Sequence, residues 1–156
     1  MRCRAKMRAL AVLFELDGQV RNGGFAQYFF NASCPQAFDA WFAAEDLAPT
    51  AHLLLGAALK RLGSEFGVNL DLDGIIQSGG GGALGPAYDG LLGIYKQQRS
   101  APGDLLVRFA NFRDRVALPR AGLDGFDTLN MRFFEETAIP TWLAECVKES
   151  PDEYLD

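Results

Sequence analysis

The chain has 156 residues, 49% of them hydrophobic and 22% charged, with a net charge of −5. That length suits one domain burying roughly two-thirds of its unfolded surface, and the balance excludes wholesale disorder. The acidic excess disfavours nucleic acid as a direct ligand and favours a basic partner surface.

Ala and Leu together number about forty, against about fourteen for Val, Ile and Thr. Small and unbranched side chains lose little in a helix, whereas β-branched ones fit strands. The expected fold class is therefore all-α, a single-domain multi-helix bundle over residues 1–156. Cys3, Cys34 and Cys146 are odd in number and form no CxxC pair, as expected of reduced thiols in a cytoplasmic protein rather than a disulfide frame or zinc site. The start carries Arg2, Arg4, Lys6 and Arg8 before the apolar run Ala9–Phe14. That run is too short for a signal peptide, and Glu15 and Asp17 stand where a cleavage site belongs.

Leu10, Leu13, Leu16 and Val20 give the first helical stripe. Asn22-Gly23-Gly24 interrupts it, since Asn and Gly accept the left-handed conformation that closes a helix. Phe25, Tyr28 and Phe29 then lie at i, i+3 and i+4 and read as core. Gln27 and Asn31 share another face, free to bond each other, a neighbouring backbone or a ligand.

Glu15-Leu16-Asp17-Gly18-Gln19-Val20, Asn22-Gly23-Gly24-Phe25, Gln27-Tyr28-Phe29 and Asn31 together resemble a bacterial domain-of-unknown-function family typified by a DNA-mimic protein. Arg21 stands where that family often has an uncharged polar residue. The resemblance implies a helical fold, a dimer as one option, no known enzymatic activity and no cofactor.

Cys34-Pro35 is expected to end the aromatic helix. The next helix carries Phe38, Trp41 and Phe42, and Ala48-Pro49 separates it from a central one with Leu53, Leu54, Leu55, Ala58, Leu59 and Leu62, closed by Gly63. His52, the sole histidine, reads as structural. Residues 64–86 read as the least regular part. Asp71-Leu72-Asp73-Gly74 lacks the spacing of a calcium loop. Gly80, Gly82 and Gly85 spell GxGxxG with no preceding strand, and the expectation is a glycine-rich surface loop.

Further helices are expected at Pro86–Gln98 (Tyr88, Leu91, Leu92, Tyr95), after an Asp104 cap (Leu105, Leu106, Phe109, Phe112, Val116), and after a cap at Asp127 or Thr128 (Leu129, Met131, Phe133, Phe134). Arg108, Arg113 and Arg115 read as solvating charge. Pro140 starts the last long helix, and Pro151 starts a short one that docks Tyr154 and Leu155.

The resemblance implies a non-enzymatic regulator that binds a protein, such as a transcription factor; the acidic C-terminal third and the lack of a legible catalytic constellation or metal-ligand set agree with that expectation. Its acidic partner surface would comprise Asp124, Asp127, Glu135, Glu136, Glu145, Glu149, Asp152 and Glu153. The alternative is a small-ligand or anion-binding protein, or an enzyme, using Asn22, Gly23, Gly24, Gln27, Tyr28 and Asn31. There, backbone N–H groups at the glycine break would hold an anion.

Overall fold

The computed structural model describes residues 2–79 and 84–139, together with 141, 144, 145 and 148. Among these residues are seven helices and no strand: α1 (Arg2–Asn31), α2 (Cys34–Leu47), α3 (Pro49–Glu65), α4 (Leu72–Gln77), α5 (Leu84–Ser100), α6 (Leu105–Ala117) and α7 (Phe126–Glu136). The fold is all-α, as the composition predicts. Helix α1 packs against α2, α6 and α7, and α3 against α2 and α7. No described helix is long and apolar enough to cross a membrane. The centre of the glycine-rich loop, the body of the expected last helix, Tyr154 and Leu155 lie outside the described residues, as do Cys146 and the side chains of Cys3 and Cys34.

The buried apolar side chains form one cluster to which every helix contributes. Its centre is aromatic. Phe25 meets Phe133 edge-on at 5.6 Å between ring centroids and Phe126 at 6.1 Å, and Phe29 meets Phe126 at 5.6 Å. Each such side chain, fully buried, contributes about 1.5–3 kcal/mol of transfer free energy. The expected stripe Phe25, Tyr28 and Phe29 is therefore core. His52 is structural too: its Nδ1 lies 2.8 Å from the Trp41 carbonyl and its ring stacks on the Trp41 indole.

The break expected at Asn22-Gly23-Gly24 is present as a sharp kink: Gly23 and Gly24 leave helical geometry, and two helical runs meet there within α1. Several boundaries differ from the sequence reading, each for a local reason. Helix α1 stops at Asn31, before Pro35, because Ser33 caps α2: its hydroxyl accepts from Gln36 N while the Gln36 side chain accepts from Ser33 N. Pro35 then sits in the first turn of α2, where a missing N–H costs nothing. Gly63 lies inside α3, which runs on to Glu65. A Cβ there would press on the Val68 carbonyl, so the glycine admits a tight return whose Val68 N–H donates to Gly63 O at 2.8 Å.

Within the stretch expected to be irregular, Asp71 caps the short helix α4 through Gly74 N, and Leu72 and Ile75 are buried. Helix α5 begins at Leu84, with Pro86 in its first turn. Asp104 caps α6 as expected, accepting from Val107 N. Helix α7 begins at Phe126 after Gly125, ahead of the expected Asp127 or Thr128, because Phe126 is already docked in the aromatic centre. Phe42, Leu53, Leu92, Leu105, Leu106, Met131 and Phe134, counted on apolar stripes, are exposed. Periodicity marks a wide arc, and only part of it faces a neighbour.

One buried polar cluster was not legible. The Arg61 side chain is 1% exposed and donates to Glu65 Oε2 at 3.0 Å. It also donates to the Arg115 and Leu118 carbonyls at 3.3 and 2.7 Å, which ties α3 to the end of α6. Glu65 accepts in addition from Arg115 at 3.2 Å and Arg120 at 3.1 Å, and the Arg115 guanidinium lies 3.9 Å over the Phe66 ring. Removing the carboxylate strands a buried cation. We expect Glu65→Ala to lower stability by about 3–5 kcal/mol in chemical denaturation. Arg120→Ala removes a guanidinium 59% exposed and should cost less than about 1 kcal/mol.

Candidate functional site

The stretch that carries the family resemblance forms the middle and end of α1. Its two helical limbs meet at Gly23 (φ −147°, ψ 19°) and Gly24 (φ 74°, ψ −177°). The second pair of angles lies in a region open essentially only to glycine. Breaking a helix internally frees N–H groups that need acceptors. The Phe25 N–H finds one across the molecule, donating to Asn130 Oδ1 of α7 at 2.8 Å. Asn130 lies so close that a Cβ on Gly24 would collide with its carboxamide. The Phe25 N–H, next along the chain from the Asn22, Gly23 and Gly24 N–H groups expected to hold an anion, is therefore taken by a side-chain amide.

Gln27 and Asn31 are brought together, but by a third amide. Both donate to Gln19 Oε1, at 2.8 and 3.1 Å, and Gln19 donates in turn to Glu15 at 3.0 Å. This polar thread runs back across the kink from the second limb to the first. Gly23 permits it, since a Cβ there would overlap the Gln27 side chain. Tyr28 faces away from the thread into the core, with its hydroxyl 3.4 Å from the Gln36 carbonyl. Burial, reinforced by Tyr95 and by the carboxylates of Glu15 and Asp39, pushes its phenol well above the usual tyrosine range. Asn22 is exposed on the first limb.

Arg21 joins this assembly. It pairs with the buried Asp17 at 2.9 Å and donates to the Thr137 carbonyl at 2.8 Å, just beyond the end of α7. Its guanidinium lies 5.7 Å from the Phe133 ring centroid. Two side-chain contacts therefore clamp α1 to α7, one at Asn130 and one at Arg21. Asn130 carried a signal in the sequence: Phe126, Leu129, Asn130 and Phe133 occupy i, i+3, i+4 and i+7, an amide set in an apolar stripe.

Of the expected acidic surface, Asp124, Asp127, Glu135, Glu136 and Glu145 are exposed, and Glu149, Asp152 and Glu153 lie outside the described residues. Arg132 bridges Asp124 at 3.4 Å and Glu136 at 3.5 Å. Asp127 and Glu135 have no basic partner among the described residues.

Residues 4–58 match the DMP19-like protein family. DMP19 proteins are DNA mimics, so the match bears out the resemblance read from Glu15 to Asn31. The DMP19-like segment covers nearly all of α1, the whole of α2 and the first part of α3. No curated protein and no solved structure matches the chain.

The clamp can be tested by a double-mutant cycle on urea denaturation. Asn130→Ala strands the Phe25 N–H and should cost about 1–3 kcal/mol. Gly24→Ala imposes about 1–3 kcal/mol of backbone strain and also displaces Asn130. Since both changes destroy the same hydrogen bond, the double variant should lose less than the sum of the two singles. Tyr28 offers a pH test. Above its ordinary value of 10.0 the unfolded chain releases the phenolic proton while the folded chain retains it. Stability contributed by Tyr28 is thus complete below that pH and falls as pH rises toward the folded value. Tyr28→Phe should flatten this alkaline limb.

Proposed function

We propose that this chain is a non-enzymatic regulator that offers an acidic, DNA-like surface to the basic DNA-binding face of a partner protein. The observation that carries the proposal is the DMP19-like match over residues 4–58. The exposed side of α7 supports it: Asp127 and Glu135 stand about 12 Å apart along the helix axis with no basic partner among the described residues. Charges held in water at such a rim attract a basic surface over several ångströms and accelerate encounter.

In this reading the working unit is all 156 residues folded as one helical domain in the cytoplasm, either alone or as a homodimer. The glycine break and its amide thread then serve to position helices. The partner is a protein that itself binds DNA, such as a transcription factor, and contact with it is through side-chain carboxylates rather than through a cleft.

Affinity purification from native cells followed by mass spectrometry should capture a DNA-binding protein, and duplex DNA should compete for it. Binding measured between 50 and 300 mM salt should weaken steeply. Charge reversal at both Asp127→Lys and Glu135→Lys should weaken it by about tenfold or more. A captured partner that binds equally well at all salt concentrations, or together with its DNA, would rule the proposal out.

A further inference from the structure

A cavity of about 330 Å³ opens between the end of α1, α3, α5 and α6. Its floor is apolar, built from Phe29, Leu62, Ile94 and Phe112, and its rim is polar. That is the usual design of a small-molecule site: an apolar body with a few polar groups to orient the ligand. Two of the rim groups are arginines, Arg99 and Arg108, and among the described residues no Asp or Glu lines the cavity.

Charge pairing sets these two arginines apart. Each other arginine whose side chain is described lies within ion-pair distance of a carboxylate: Arg8, Arg21, Arg61, Arg113, Arg115, Arg120 and Arg132. Arg99 and Arg108 have no such partner among the described residues. Arg108 donates through Nη1 to the Arg99 carbonyl at 3.1 Å, which fixes its guanidinium, while its Nε is buried without an acceptor. In a chain of net charge −5, two unpaired guanidiniums at the edge of one apolar cavity leave a hydrogen-bonding fork suited to a carboxylate.

We infer that this cavity binds a small amphipathic carboxylate, with its aromatic or branched aliphatic body on Phe29, Leu62, Ile94 and Phe112 and its carboxylate on Arg108 and Arg99. The site is independent of the acidic surface proposed above: it would take an anion, and it lies at the arginine-lined edge of α5 and α6.

The test is an NMR titration of the isotopically labelled full chain with phenylacetate, with benzyl alcohol and acetate run as separate arms. Phenylacetate should give saturable 1:1 shifts at Phe29, Ile94 and Phe112 with a Kd of about 1 mM or tighter. Benzyl alcohol lacks the charge and acetate the body, and each should bind at least about tenfold more weakly. Arg108→Gln should weaken phenylacetate by about tenfold or more. Should that variant fail to fold, Arg99→Gln and Leu105→Trp, the latter at the exposed mouth, provide the same reading. Absence of saturable shifts, shifts confined to other regions, equal binding of benzyl alcohol, or full affinity in the folded arginine variants would overturn the inference.

Discussion

The hydrogen bond from the Phe25 N–H to Asn130 joins the first helix of the chain to the last one described. A helix broken in mid-course has unsatisfied N–H groups, and burying one without an acceptor costs about 1–3 kcal/mol. The chain resolves that conflict with a side chain 105 residues away. Gly24 is required twice over, once for its backbone angles and once because Asn130 occupies the space a Cβ would need. With α7 held there, Phe126 and Phe133 reach Phe25 and Phe29, and the aromatic centre forms. Arg21, held by Asp17, secures the far end of the same helix through Thr137.

The bend also fixes what the second limb of α1 can do. Phe25 and Phe29 point toward α7, whereas Phe30 turns toward α6, where it meets Phe109 at 5.3 Å and Phe112 at 6.0 Å. The second limb thus meets α7 on one side and α6 on the other. The amides on the remaining face satisfy one another through Gln19. The densest polar chemistry in the sequence is thus largely consumed in holding two limbs at one angle. What it leaves is the cavity beside Phe29, between the end of α1 and helices α3, α5 and α6.

How much of this was legible follows from range. The helix break, the aromatic stripe and the Asp104 cap depend on neighbours within one or two turns, and periodicity with turn chemistry reveals them. Pro35 and Gly63 read as helix ends and Pro86 as a helix start, because each can play that part. Which part it plays depends on Ser33, on the start of α5 at Leu84 and on the Val68 carbonyl, and the last of these is a tertiary contact. Arg61 is the clearest omission: nothing in its local sequence marks it as buried, apart from Glu65 four residues on, with which it pairs. The carbonyls of Arg115 and Leu118 that make its burial tolerable lie more than fifty residues away. The same distance hid Asn130. Its place in an apolar stripe marked it as unusual without saying which N–H it would reach.

The DMP19-like match stops at residue 58, yet the exposed carboxylates of α7 lie far beyond it. The clamp reconciles the two. Gly24, Phe25 and Arg21, all within the matched segment, receive Asn130 and Thr137 from α7 and from just past its end. The segment that carries the family resemblance therefore sets the position and rotation of the helix that bears Asp127 and Glu135. Under the proposed function the motif has an indirect role: it holds an acidic helix in a fixed orientation, and that helix meets the partner. An acidic face on a freely rotating helix would present its carboxylates at no constant spacing, and mimicry of a regular phosphate backbone needs that spacing held.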